Sequence, residues 1–108
     1  MHTSTVEQQR ATALSVTVTG EALTVELSDG RSVSVPLAWF PRLTHGTPKE
    51  RNRFRLIGYG QGIHWPDLDE DVSVEGILAG RPSGESQTSF DRWLKSRAAT
   101  RKTTAKRR

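Results

Sequence analysis

Residues 54–71 read Phe-Arg-Leu-Ile-Gly-Tyr-Gly-Gln-Gly-Ile-His-Trp-Pro-Asp-Leu-Asp-Glu-Asp, and this stretch decides the fold. Two short apolar segments flank a cluster of glycines, a pattern that is typical of a β-hairpin. A two-residue loop, Gly60-Gln61, would use the glycine for the positive φ of a type II′ turn. In the register that follows, Leu56 faces Trp65.

Side chains alternate between the two faces of a strand, so the hairpin is predicted to have one apolar and one largely polar face. The apolar face holds Phe54, Leu56, Ile63 and Trp65, and the other face holds Arg53, Arg55, Ile57, Tyr59 and His64. Beyond the hairpin, Asp67 and Glu70 stand three residues apart, which is typical of the first turn of a helix.

The preceding segment predicts three antiparallel strands joined as a meander. Alternating apolar residues mark the strands: Leu14, Val16 and Val18, then Leu23, Val25 and Leu27, then Val33 and Val35. A two-residue Asp29-Gly30 turn would split the apolar residues of the last two strands between faces. A three-residue turn with Gly30 in the left-handed conformation pairs Val25 with Val33 and keeps one apolar face.

Several short helices are expected around these strands. Residues 37–40 predict one helical turn that ends at Pro41. A second short helix is predicted to end near residue 52. At its start, Thr47 is the cap, Pro48 takes the first helical position and Glu50 completes a capping box. Residues 73–80 fit either a short helix or a strand. The fold class is therefore α+β: a small antiparallel sheet, formed by the meander and the second hairpin, with short helices.

The predicted order along the chain is a flexible arm (1–13), an α+β domain (14–80), a linker (81–87), an amphipathic helix (88–99) and a disordered basic tail (100–108). Phe90, Trp93, Leu94 and Ala98 recur at helical spacing after Thr88, which we expect to cap this helix. A core of about 70 residues buries a modest share of its surface, so marginal stability is expected, and self-association as a homodimer would raise it.

Charge is divided unevenly along the chain. Residues 1–90 carry eight Lys or Arg against eleven Asp or Glu, a net charge of −3, whereas residues 91–108 carry eight against one, a net charge of +7. A basic tail of this kind is typical of a solubilising extension, and contact with nucleic acid by neutralising phosphates is the hypothesis set beside it. The candidate residues are Arg92, Lys95, Arg97, Arg101, Lys102, Lys106, Arg107 and Arg108.

Composition excludes several classes of site. The chain has no cysteine, which excludes disulfides, thiol nucleophiles and Cys-based zinc sites. No apolar run approaches the roughly 20 residues that span a bilayer, and no signal-peptide pattern is present, so a soluble cytoplasmic protein is expected. Gly58, Gly60 and Gly62 do not open a helix, which disfavours a nucleotide site, and no cofactor is expected.

The residues around His64 allow two interpretations. His64 with Asp67, Asp69, Glu70 and Asp71 resembles an acid/base or hard-metal cluster of a hydrolase or nuclease, but no second histidine or complete calcium loop accompanies it. We favour a non-enzymatic module with no catalytic residue and no metal site. Its candidate surface for a protein partner consists of Trp39, Arg55, Tyr59, His64, Trp65, Asp69, Glu70 and Asp71.

Three segments together resemble the domain of unknown function 2442 family: Leu27-Ser28-Asp29-Gly30-Arg31, residues 35–43 and residues 57–74, with Arg51 between the last two. The resemblance covers about residues 14–80. It implies a small bacterial α+β domain, similar to the N-terminal domain of a protein that also carries a helix-turn-helix unit, and antitoxin-like roles are suspected for some members. It supplies no catalytic residues. This chain has a single helix and a basic tail where the helix-turn-helix unit would stand.

Overall fold

A computed structural model describes the backbone of residues 11–106 and the side chains of residues 11–99. Most of the arm predicted for residues 1–13 lies outside this range, as do Arg107 and Arg108. Within the range, Ala11 is buried and the first strand begins at Ala13.

The first sheet is the predicted meander. It contains β1 (Ala13–Val18), β2 (Ala22–Leu27) and β3 (Ser32–Pro36), all antiparallel and in that order. Val25 pairs with Val33, and Leu23 pairs with Val35, which confirms the register inferred from the apolar pattern. Gly30 closes the turn with a φ of 94°.

One residue of β1 departs from the predicted alternation. A β-bulge between Ala13 and Ser15 leaves Leu14 without a partner on β2. Leu14 is consequently 64% exposed, and Ala13 takes the buried position. The inward placement that alternation predicts for Leu14 is therefore wrong, because the bulge inserts one extra residue into the period.

The second sheet has three strands where the sequence predicted a hairpin. It contains β4 (Arg55–Ile57), β5 (Gly62–Trp65) and β6 (Glu70–Ser73) in that order. The helix start predicted at residues 67–70 is wrong, because the chain turns there and pairs with β5.

The hairpin register also differs from the prediction by two residues. Leu56 pairs with Ile63, because the loop is Gly58-Tyr59-Gly60-Gln61 and its first three residues all have positive φ. A shift of two residues keeps every side chain on its predicted face. The predicted assignment of the hairpin side chains to two faces is therefore correct, although the predicted loop length is wrong.

Short helices follow each sheet. A 3-10 helix (Leu37–Trp39) leads into α1 (Pro41–His45), and α2 (Pro48–Arg51) has the predicted capping box between Thr47 and Glu50. Pro41 thus begins a helix as well as ending the preceding turn, because proline is well suited to the first helical position. Residues 74–78 form α3 (Val74–Leu78), which decides between the two alternatives left open for this segment.

The last helix, α4 (Gln87–Lys106), is longer than predicted. Ser86 lies at its start and accepts a hydrogen bond from the Ser89 backbone N–H, so the cap predicted at Thr88 is wrong. The helix continues past residue 99 through 100–106, a segment predicted to be disordered. The segment before it is held to the domain, since the Ser83 backbone N–H donates to the Trp39 carbonyl at 2.9 Å.

Both sheets and the short helices contribute to one hydrophobic core. Trp65 is its largest fully buried side chain, and the indole Nε1–H donates to the Arg51 carbonyl at 2.9 Å. The described helices include none with the length and apolar character needed to cross a membrane. The core residues are Ala11, Ala13, Leu23, Val25, Leu27, Val35, Leu37, Phe40, Leu43, Ile63, Trp65, Leu68, Val72, Val74 and Ile77.

The two sheets approach each other at Gly60, which yields a stability prediction. The Ala13 backbone N–H donates to the Gly60 carbonyl at 2.6 Å, and a Cβ at Gly60 would lie 2.9 Å from the Ala13 carbonyl oxygen. Gly60→Ala should therefore lower the free energy of unfolding by about 3 kcal/mol, from backbone strain plus overlap.

Gly30→Ala is the matched control, because Gly30 also has positive φ but a Cβ there would meet no other atom within 4 Å. That change should cost about 1 kcal/mol. Equilibrium urea unfolding of the two variants measures the difference. Equal losses of unfolding free energy would show that the close contact between the two sheets at Gly60 does not affect stability.

Candidate interaction surface

Three predicted surface residues lie in one row across the second sheet. Arg55 on β4 pairs with His64 on β5, and His64 pairs with Asp71 on β6. Opposed residues share a face, and this face is directed away from the core. His64 Nδ1 lies 2.5 Å from Asp71 Oδ1, so the middle and last members of the row are linked directly.

Trp65 and Glu70 lie on the opposite face of the same sheet. They pair with each other one position along the strands, and Trp65 is fully buried. The prediction that Trp65 belongs to a partner surface is therefore wrong. Glu70 is half-buried beneath the sheet and points away from His64.

The acidic residues after Trp65 diverge in space. Asp67 forms an ion pair with Arg53 at 2.7 Å, and Asp69 occupies the turn before β6 with a φ of 52°. Asp71 and Glu70 are on opposite faces because they are neighbours on a strand. Over residues 11–99, no three His, Asp or Glu side chains are gathered as a metal-ligand set.

The loop between β4 and β5 displays an aromatic side chain at its tip. Tyr59 has a φ of 57° and is 101% exposed. A non-glycine residue in this region carries backbone strain of about 1 kcal/mol, and no packing of the tyrosine ring compensates for it here. An exposed aromatic on a strained turn indicates a role outside the folding of the domain.

The strand beside this loop has one unoccupied edge. Among the described strands β4 pairs only with β5, and Leu56 and Ile57 on it are each 37% exposed. We call this region the edge surface and define it by Arg55, Leu56, Ile57, Tyr59, His64 and Asp71.

Trp39 and Asp69, the remaining predicted surface residues, do not lie on β4, β5 or β6. Trp39 is half-buried and packs against the core at the end of the 3-10 helix. Asp69 is exposed, and its backbone carbonyl accepts a hydrogen bond from Arg42 Nη1 at 2.9 Å. Neither residue belongs to the edge surface.

Sequence reasoning did not identify the contacts that hold α4 to the domain. Two guanidinium groups lie over the Trp93 ring, with Arg42 Cζ 5.2 Å and Arg97 Cζ 4.8 Å from the ring centroid. Arg42 makes a forked ion pair with Glu85, and Arg97 makes one with Glu50. We call this group the helix clasp. The spacing of Trp93 and Arg97 on one helix face is a signal for docking, but their partners lie more than 40 residues away along the chain.

The clasp changes the acidity of its carboxyl groups. Hydrogen bonds from Arg97 lower the pKa of Glu50 to about 2, with a further contribution from the Thr47 backbone. Hydrogen bonds from Arg42 likewise lower the pKa of Glu85. Both carboxylates remain charged across the neutral range, so both pairs persist there.

The predicted nucleic-acid residues separate into groups on α4. Arg97 is committed to the clasp and its side chain is 13% exposed, whereas Arg92 and Lys95 are exposed. Arg101, Lys102 and Lys106 lie on the helix beyond the described side chains. Arg107 and Arg108 lie outside the described residues.

Glu70 lines a cavity of about 230 Å³ together with Phe40, Ile77, Arg81 and Ser83. Burial raises the pKa of Glu70 to about 7, against the opposing attraction of Arg42 and with added repulsion from Glu85, Asp71 and Asp69. A carboxyl group that is held beside other carboxylates in a half-buried site favours the protonated form.

This raised pKa gives a prediction for stability against pH. Below about pH 4.5 Glu70 is protonated in both folded and unfolded chains, and between 4.5 and 7 only the folded chain retains the proton. Above pH 7 the folded chain holds an unfavourable charge. Glu70→Gln should therefore raise the free energy of unfolding by about 1–2 kcal/mol at pH 8, after allowance for solvent screening, and by little near pH 4.

Urea unfolding at several pH values compares Glu70→Gln with the wild type. Glu21→Gln is the control, because Glu21 is exposed at the β1–β2 turn. The Glu70→Gln difference is compared with the Glu21→Gln difference at each pH. A Glu70→Gln difference that did not grow between pH 4 and pH 8 would contradict the assignment.

Two solved structures share the fold. A crystal structure of a protein of unknown function from Rhodospirillum rubrum has a TM-score of 0.63 and 22% identity, and the match covers 73% of this chain and 98% of that one. A solution structure of an uncharacterised protein from Chromobacterium violaceum has a TM-score of 0.62 and 22% identity, covering 75% and 76%. At this identity they show the fold alone.

A search of curated proteins found no match. The family model described as "Protein of unknown function (DUF2442)" matches residues 13–83, which span both sheets and α1–α3. This range confirms the resemblance inferred from the sequence and leaves α4 outside the shared domain. With about two thirds of its length matched, the chain belongs to the DUF2442 family of proteins of unknown function.

Proposed function

We propose that this chain is a non-enzymatic interaction module that binds a protein partner through the edge surface. Tyr59 is the observation that carries the proposal. Its ring is fully exposed at a strained position, and a glycine there would remove the strain. Large aromatic side chains of this kind commonly supply the central contacts of protein interfaces.

The neighbouring strand supports a defined mode of binding. The outer edge of β4 presents backbone N–H and C=O groups to an incoming extended segment, which would add a fourth strand to the second sheet. Leu56 and Ile57 offer apolar contacts on either side of such a strand, and the exposed Arg55 favours an acidic side chain on it. The partner is therefore a protein with an extended segment of apolar and acidic residues.

The position of His64 favours binding over catalysis. Its Nδ1 is directed at Asp71, while Asp67, Asp69 and Glu70 lie elsewhere. The alternative, a metal-assisted hydrolase or nuclease that uses His64 and the acidic cluster of residues 67–71, would need several of these carboxylates beside the imidazole, and Asp71 alone of the four contacts it. We place the module in the bacterial cytoplasm, and an antitoxin-like role, in which the partner is a small protein that the module neutralises, is one form of this function.

Tyr59→Gly separates binding from folding. Because glycine tolerates the left-handed conformation and the tyrosine ring makes no buried contact, the variant should be as stable as the wild type or more stable by up to about 1 kcal/mol. It should lose the partner that the wild type retains in affinity capture from the native cell. Thermal unfolding and quantitative mass spectrometry measure the two effects.

Leu78→Ala is the matched control, since Leu78 is 38% exposed on α3 and away from β4. It should retain the partner. Light scattering on the purified variants reports whether a second copy of the chain fills the partner role as a homodimer. A Tyr59→Gly variant that unfolds more easily, or that keeps the same partner, would contradict the proposal.

A further inference from the structure

Helix α4 has two faces with different chemistry. Phe90, Trp93, Leu94 and Arg97 are half-buried on the side that meets the domain, where His45 contacts the first two rings. Exposed residues on the other side include Arg92 and Lys95. One face is thus used to hold the helix, and the opposite face is left to solvent.

The basic residues of α4 continue this outer face along the helix. Consecutive residues of an α-helix are turned by about 100°, so Arg92, Lys95, Lys102 and Lys106 fall within an arc of about 80°. The arc is centred about 165° from the docked face. The four residues extend about 21 Å along the helix axis from the first to the last, and we call them the basic stripe.

The clasp gives the basic stripe a fixed direction. Trp93 and Arg97 lie on the same helix as the stripe, and their contacts with Arg42 and Glu50 anchor its first half to the domain. Arg92 and Lys95, the first two members of the stripe, are therefore presented by a held segment of the helix.

The charge of the stripe is not balanced by the helix itself. Residues 91–108 contain a single acidic residue, Asp91, and its carboxylate accepts a hydrogen bond from Gln87 Nε2 at 2.8 Å. Glu50 and Glu85, the acidic residues nearest the docked side, are paired with Arg97 and Arg42. An anionic ligand with repeated charge is the complementary partner for such a row.

We propose that the basic stripe binds the phosphate backbone of a nucleic acid duplex. The duplex is favoured over a single strand because Phe90 and Trp93, the aromatic residues of α4, are on the docked side and are not available to stack on unpaired bases. The stripe makes phosphate contacts, which position a protein on a duplex without reading its sequence.

Fluorescence anisotropy of the full chain with a labelled DNA duplex of about 20 base pairs tests the proposal. Four phosphate contacts predict a slope of about −3.6 for log affinity against log salt, so affinity should fall by about 100-fold between 50 and 200 mM NaCl. The double variant Arg92→Ala, Lys95→Ala should halve the slope, which leaves about a 10-fold fall over that range.

Lys49→Ala, Arg81→Ala is the charge-matched control, since both residues are exposed and lie outside α4 and the edge surface. It should leave the slope unchanged, which also keeps this test independent of the protein-partner proposal. Circular dichroism verifies that each variant is folded. An unchanged slope in Arg92→Ala, Lys95→Ala, an equal loss in Lys49→Ala, Arg81→Ala, tighter binding to the single strand than to the duplex, or binding to anionic vesicles but not to the duplex would each overturn the proposal.

Discussion

The burial of Trp65 is the constraint on which the second sheet depends. Its ring is fully enclosed and its indole N–H is satisfied by the Arg51 carbonyl, so β5 has one permitted orientation. Because side chains alternate, the same orientation places His64 on the opposite face of the sheet. Paired residues share a face, so Asp71 of β6 lies on the same face as His64. Glu70 lies on the core-facing side with Trp65. One buried aromatic thus separates residues that are adjacent in sequence and would otherwise suggest a single acidic site.

The helix clasp fixes the position of the C-terminal helix α4 against the domain. Helix α4 meets the domain through side chains, which contact His45 of α1 and Glu50 of α2. Two arginines contact the Trp93 ring, Arg42 from the domain and Arg97 from the helix itself. Each is held by a carboxylate, so the stacking geometry is fixed by the ion pairs. The arrangement joins a helix outside the family domain to elements within it.

The sequence was most informative where local rules act alone. The meander register followed from matching Val25 with Val33, and the capping box at Thr47 and Glu50 is a local hydrogen-bond pattern. The loop length of the hairpin could not be deduced, because nothing local indicates that Tyr59 adopts a positive φ between two glycines. The strand β6 was missed because its acidic residues also fit a helix cap, and pairing with β5 decided between them. Arg42 and Glu85 are 43 residues apart, so their pairing requires the folded chain.

The four outer strands of the two sheets are not equally open. On β1 the bulge at Leu14 interrupts the ladder, β3 ends at Pro36, which cannot donate a hydrogen bond, and β6 leads directly into α3. Such features are known to prevent strands of neighbouring molecules from joining. β4 lacks them and is limited only by its length of three residues. At high concentration, or after damage to the fold, aggregation of this protein would therefore begin at β4, and the shortness of that strand limits its ability to act as a template for fibrils.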